Sequence, residues 1–289
     1  TPQLRLDYPK KWGTIMYEWF ESARVAICLL FLSAASIHDI KTREVPNITW
    51  LLFAPIGLVL TLISLALNGW SQTTILAWLV TAAVTVGLST ALFHLGLFGG
   101  ADAKALMCLA AAMPTQPNIT SIKPLLSSFM GSHYMLQLPP PISTFNNAVL
   151  TASLLIIAIS IRNLADLARH GRRIFEGLEK NSLTKKFFTF LTGYRVDAQK
   201  LRSGGHHYII LEEFSRGEDG SIKRSLKLLP RLNMSGENSS ETNLPAEFNG
   251  KIWVTMGLPF IVFITMGFAA AIFIGDLILM LMGSILPHT

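Results

Sequence analysis

Two aspartates stand where an apolar chain has least use for charge. Asp39 closes the first long apolar run, in Ser36-Ile37-His38-Asp39-Ile40-Lys41-Thr42-Arg43-Glu44-Val45-Pro46-Asn47. Asp102 opens a short fourth one, in Leu97-Phe98-Gly99-Gly100-Ala101-Asp102-Ala103-Lys104. An ionisable side chain at membrane depth costs about 2.5–3.5 kcal/mol on insertion scales, so it is read as functional and a partner is sought. Two carboxylates in a partly dry site cannot both ionise comfortably. A pair sharing one proton holds a base that activates water and an acid that protonates a carbonyl oxygen. That chemistry is aspartic peptide hydrolysis. The structural alternative makes Asp102 a helix cap and Asp39 an interfacial loop residue, and spacing alone leaves both readings open.

The elements that must carry these residues are membrane spans. The chain has 289 residues, 51% hydrophobic and 15% charged, against roughly 25% charged in soluble domains. The expected fold is an all-α polytopic membrane protein of about six transmembrane helices, with a small soluble α+β domain between the fifth and sixth. Ser22 to Ile37 forms the first run, read as a span rather than a cleaved signal peptide, with Arg24 snorkelling to the interface. Asn47 to Leu67 and Thr73 to Phe98 are uncharged over 21 and 26 residues, and Gly99-Gly100 is expected to make the turn after the latter. Ala103 to Met113 is about 16 Å long as a helix and falls short of a crossing. A proline-containing connector, Pro114 to Pro141, leads to the fifth run, Ile142 to Ile161.

Residues 163–250 break the pattern, with 14 Lys/Arg and 11 Asp/Glu in 88 positions. The domains are therefore drawn as 1–162 (spans one to five), 163–250 (soluble, cytoplasmic) and 251–289 (final span). Within the soluble block, Leu164 to Phe190 reads as a helix against an anionic lipid surface. Tyr208-Ile209-Ile210-Leu211 and Ile222 to Leu228 read as a hairpin around Glu218-Asp219-Gly220. Asn233 to Asn243 reads as a linker.

Six spans put the Lys41/Arg43 loop and the basic block on one face, which the positive-inside rule makes cytoplasmic. Asp39 and Asp102, two crossings apart, then meet at that face. Asp276, about 37 Å beyond Lys251 on a continuous helix, is carried to the other. The net charge of +6 reflects this asymmetry rather than nucleic-acid binding. Cys28 and Cys108 form no C-x-x-C pair. His206-His207 lacks a third ligand nearby, and Gly131-Ser132-His133 lacks a nucleophile elbow. His94 reads as a packed, hydrogen-bonded residue. No metal or cofactor is expected, and nothing in the chain signals an oligomeric state.

Asp39 ahead of Thr42-Arg43-Glu44-Val45-Pro46-Asn47, with Gly99-Gly100-Ala101-Asp102-Ala103-Lys104 after the third span, resembles the archaeal preflagellin and prepilin peptidases of the GxGD aspartic protease class. The likeness extends to the span count, the soluble block, and Trp253-Val254-Thr255 leading into Pro259. It implies a membrane endopeptidase that removes the short basic leader of prepilin- or preflagellin-like precursors at the cytoplasmic membrane face. Carried over, Asp39 and Asp102 are catalytic, while Gly99, Gly100, Ala101 and Lys104 form the substrate-side loop. Ala101 departs from the family's glycine, which a methyl group permits where φ is negative. Membrane lipids are the other expected partner, since a basic block repels a basic leader.

Three other classes compete. Presenilin-type peptidases carry a tyrosine where His38 stands. A proton-coupled transporter would also keep intramembrane carboxylates, but should show inverted repeats with discontinuous helices. A non-catalytic scaffold would use the polar block alone.

Overall fold

The computed structural model describes residues 8–67, 69–119, 138–203, 208–216, 222–227, 244–245, 247–256 and 259–285. Glu218-Asp219-Gly220, Gly131-Ser132-His133, His206-His207 and Asn233 to Asn243 lie outside them, as does most of the connector before Pro139.

The long apolar runs become helices, three of them extended by or carrying charged residues, because backbone polar groups in hydrocarbon must be satisfied within their own segment. They are α1 (Tyr8–Thr42), α2 (Asn47–Leu67), α3 (Gln72–His94), α4 (Gly100–Ala112) and α5 (Pro140–His170). Four helical stretches are long and apolar enough to cross a bilayer: Ile15–Thr42, Asn47–Leu67, Gln72–His94 and Pro140–His170. A broken pair, Phe260–Phe273 and Leu277–Gly283, bent by 58°, brings the count to five where it is taken as one span, against the six expected. Large apolar side chains such as Leu51, Leu76 and Leu154 face outward, as a lipid-facing surface requires.

The chain forms two compact units, residues 1–152 with 259–289, and residues 153–258. In the first, short α4 packs against α1, α2, α3 and the later helix α8 (Phe260–Phe273). Leu106, Leu109 and Met113 are fully buried there with Leu32, Phe53, Ile264 and Phe268. Gly57 lets α2 approach closely, because a Cβ there would lie 2.4 Å from that of Ala112. Asp276 sits at the break between α8 and α9 (Leu277–Ile285), where it accepts from the Ile278 and Leu279 N–H groups and from Asn146. Asn147 donates to the Gly275 carbonyl beside it. The break therefore satisfies its own polar groups, and Asp276 acts as a helix cap.

Arg24 does not snorkel. It is 2% exposed and pairs bidentately with Glu21, 1% exposed, at 2.7 and 2.8 Å. An acid one turn away on the same helix supplied a partner, and a paired cation can stay buried.

In the second unit the C-terminal part of α5 and a 3₁₀ turn (Gly171–Phe175) precede α6 (Leu183–Thr192), β1 (Tyr194–Asp197) and α7 (Ala198–Arg202). After these come β2 (Tyr208–Ile210), β3 (Glu212–Arg216), β4 (Ile222–Leu226) and β5 (Lys251–Met256). One antiparallel sheet has the order β1-β5-β2, and β3 pairs with β4. The hairpin thus begins at Glu212, not Tyr208, whose strand pairs with β5 in the register Tyr208↔Met256. Residues 252–256, expected to begin the last span, are strand. Their alternation buries Ile252 and Val254 in one cluster and Trp253 in another, as a two-sided strand does. Trp253 stacks on Phe175 at 5.0 Å, and its backbone N–H donates to the Glu212 carboxylate at 2.7 Å.

Candidate active site

Asp39 lies in the last turn of α1. That helix ends because Arg43 turns left-handed, at φ +59, and its N–H donates back to the Asp39 carbonyl at 3.1 Å. This is the αL stop usually given to glycine. The Thr42 hydroxyl reinforces it, lying 2.9 Å from the His38 carbonyl and 2.8 Å from that of Glu44. The Asp39 carboxylate accepts from the Ile261 N–H in the first turn of α8, and Arg43 is the cation acting on it. His38 is exposed and next to Asp39 in sequence, so no His/Asp relay forms.

Asp102 lies in the first turn of α4, where its Oδ2 accepts from the Gly99 N–H at 3.0 Å. Gly99 must be small, since a Cβ would stand 3.1 Å from that oxygen. The turn expected at Gly99-Gly100 occurs earlier. Gly96, at φ +70, closes α3, Gly99 is the extended residue before α4, and Gly100 is its first helical residue. Ala101 has no positive φ and its methyl packs against the apolar core, so the departure from glycine fits. Lys104 reaches Asn47 Oδ1 at 2.7 Å, tying α4 to the start of α2. His94 is exposed rather than packed, its ring 5.5 Å from Phe93.

Both acids are half-buried, and each faces a helix N-terminus, Asp102 that of its own α4 and Asp39 that of α8, where backbone N–H groups favour negative charge. They lie within electrostatic range of one another, the Asp39 charge acting on Asp102. The start of α8 joins them. Phe260 packs on Phe98 at 5.1 Å, fixing the loop that delivers Asp102, while the next residue, Ile261, holds Asp39. Sequence reasoning missed Phe98, Arg43 and this first turn of α8. The aromatic side chain just ahead of the glycine pair was the visible signal for Phe98; a backbone N–H donor leaves no signal in sequence.

Fold and site together define a class: a multi-pass membrane protein with two half-buried carboxylates on packed helices. The model of the type IV leader peptidase family matches residues 26–161, and that of the archaeal peptidase A24 C-terminus, type II, matches residues 185–277. A preflagellin peptidase of Methanococcus voltae is 28% identical over 259 residues, covering 88% of this chain and 96% of that protein. Another, of Methanocaldococcus jannaschii, is 26% identical over 262 residues, covering 86% and 92%. The chain belongs to the type IV leader peptidase family, the A24 aspartic endopeptidases.

Proposed function

We propose that Asp39 and Asp102 are the catalytic pair of this leader peptidase, and that it cleaves preflagellin- or prepilin-like precursors carrying a short basic leader at the cytoplasmic membrane face. The observation that carries the assignment is the convergence of two half-buried acids, from helices distant in sequence, within reach of each other's charge. The relatives' names support the substrate class.

The chemistry follows from one shared proton. The ionised carboxylate takes a proton from water as its oxygen bonds to the scissile carbonyl carbon, and the protonated carboxyl gives its proton to the carbonyl oxygen. When the resulting diol collapses, the C–N bond breaks. The first carboxyl protonates the leaving amine, the second recovers its proton from the diol, and the pair again holds one proton.

The cytoplasmic assignment rests on Lys41 and Arg43 beside the site and on the basic residues of the polar block. With α4 as a short crossing enclosed by its neighbours and α8–α9 as a bent one, the spans number six. Residues 163–250 then form a cytoplasmic unit. On it, Leu183, Phe187 and Phe188 are exposed beside Lys185 and Lys186, a composition suited to anionic lipid.

Asp39→Asn and Asp102→Asn, incubated in membranes with a precursor bearing a basic leader ahead of an apolar helix, test the pair. Each is expected to lower cleavage about a thousandfold or more. Cleavage surviving in both variants removes these residues from the chemistry.

A further inference from the structure

The membrane unit contains a second buried polar assembly, remote from the acids. Arg24 Nη2 donates to the Ala112 carbonyl at 2.8 Å and to Thr61 Oγ1 at 3.2 Å, while its Nη1 holds both oxygens of Glu21. The Thr61 hydroxyl lies 2.7 Å from the Ala111 carbonyl and 3.0 Å from that of Ala112. Ser64 donates to Glu21 Oε1 at 2.6 Å. Helices α1, α2 and α4 therefore meet at one point, the end of α4.

That end has a physical problem. Helix α4 has 13 residues, about 20 Å, and it stops inside the unit, with Ala110, Ala112 and Met113 at most 1% exposed. A helix end leaves carbonyls without intrahelical donors, and hydrocarbon supplies none. A guanidinium is the side chain that brings several donors and a positive charge to such an end. Glu21 neutralises it and Ser64 satisfies the acid. The Arg24 Nε finds no partner among the described residues, and a buried ion pair is seldom favoured over an apolar one for stability alone. Its geometry has a different consequence. About 15 Å of α4 separates Ala112 from Asp102, and about 22 Å of α1 separates Arg24 from Asp39, so latch and acids occupy opposite ends of one helix pair.

We propose that Glu21 and Arg24 are positioning residues: by clamping the C-terminus of α4 to α1 they set how far Asp102 stands from Asp39. The proposal rests on the catalytic assignment of that pair. Thr61 and Ser64 anchor the clamp to α2, and Gly57, one turn from Thr61, permits the close approach to Ala112.

The test uses the full chain in membranes with the same precursor, measuring kcat, KM and the pH profile for Arg24→Gln, Arg24→Lys and Thr61→Val. Carboxylates sharing a proton titrate in two steps whose separation grows with their interaction. Releasing the clamp should draw the limbs of the pH profile together. Arg24→Gln should lower kcat about 30-fold with KM within about twofold, since a misplacement near 1 Å can cost a hundredfold. Arg24→Lys, which keeps a cationic donor, should restore most of the rate and the profile width. Wild-type kcat and width in Arg24→Gln overturn the proposal, as does a loss of rate that lysine does not rescue and that leaves the width unchanged. If Arg24→Gln fails to accumulate, Thr61→Val decides: a rate fall of about threefold or more with a narrowed profile supports the clamp, and an unchanged rate overturns it. Asp39→Asn and Asp102→Asn in the same series separate the outcomes, because activity in both defeats the catalytic assignment whatever Arg24 does.

Discussion

Among individual residues, the loop before α4 is the most constrained. A Cβ at Gly99 would crowd Asp102 Oδ2 at 3.1 Å, so the carboxylate must give by a few tenths of an ångström or lose its Gly99 N–H. Gly99→Ala should therefore lower kcat by about tenfold through misplaced chemistry. Ala101→Gly should leave kcat near wild type, because the methyl at 101 touches core and not the acid. Its cost falls on stability, about 0.5–1 kcal/mol for a helical glycine, with the position near the helix start favouring the low end. Leader cleavage kinetics and thermal melting in detergent separate the two effects.

At the scale of elements, α4 is the piece on which the membrane unit is assembled. It packs on four other helices although it is the shortest of the first five, and small residues make this possible. Gly57 faces Ala112 so closely that an added Cβ would stand 2.4 Å from another side chain and 2.9 Å from backbone. Gly57→Ala must push α2 from α4, at a cost of about 1–3 kcal/mol for overpacking. A lowered melting temperature with reduced cleavage is expected; an unchanged melt would mean that the helices slide without penalty.

For the whole molecule, the two units have different kinds of core and can be perturbed separately. The second is held by a buried ion pair, Glu212 with Arg224 at 2.8 Å, the acid's side chain being fully buried. Glu212 also receives the Trp253 N–H, linking β3 to the central strand β5. Arg224→Met leaves that carboxylate buried without its cation and should destabilise this unit by about 3–5 kcal/mol. Limited proteolysis should then cut within residues 153–258 first. Cleavage of a precursor by the same variant reports whether this unit contributes to catalysis, and retained full activity would assign it a role other than positioning the acids.

What the sequence determined by itself was everything set by the exclusion of charge from lipid. Composition gave the membrane class, uncharged runs gave α2 to its ends, α3 to within four residues and the start of α5, which runs on past the expected Ile161 to His170, and the two stranded acids gave the candidate site, because that exclusion acts on each residue wherever its neighbours lie. The flanking glycines and the Thr42-Arg43-Glu44-Val45-Pro46-Asn47 segment added the family. Only the tertiary structure decided what surrounds those residues. Arg24 meets Ala112 across 88 positions, Ser36 meets Thr265 across 229, and Asp39 finds its donor on α8. Whether Tyr208 pairs with Ile222 or with Met256, and whether residues 252–256 continue a helix or cross a sheet, depended likewise on partners far along the chain. Local pattern specifies an apolar or polar environment, but hydrogen bonds and packing are pairwise, and a partner's identity exists only once the chain has brought the two groups together.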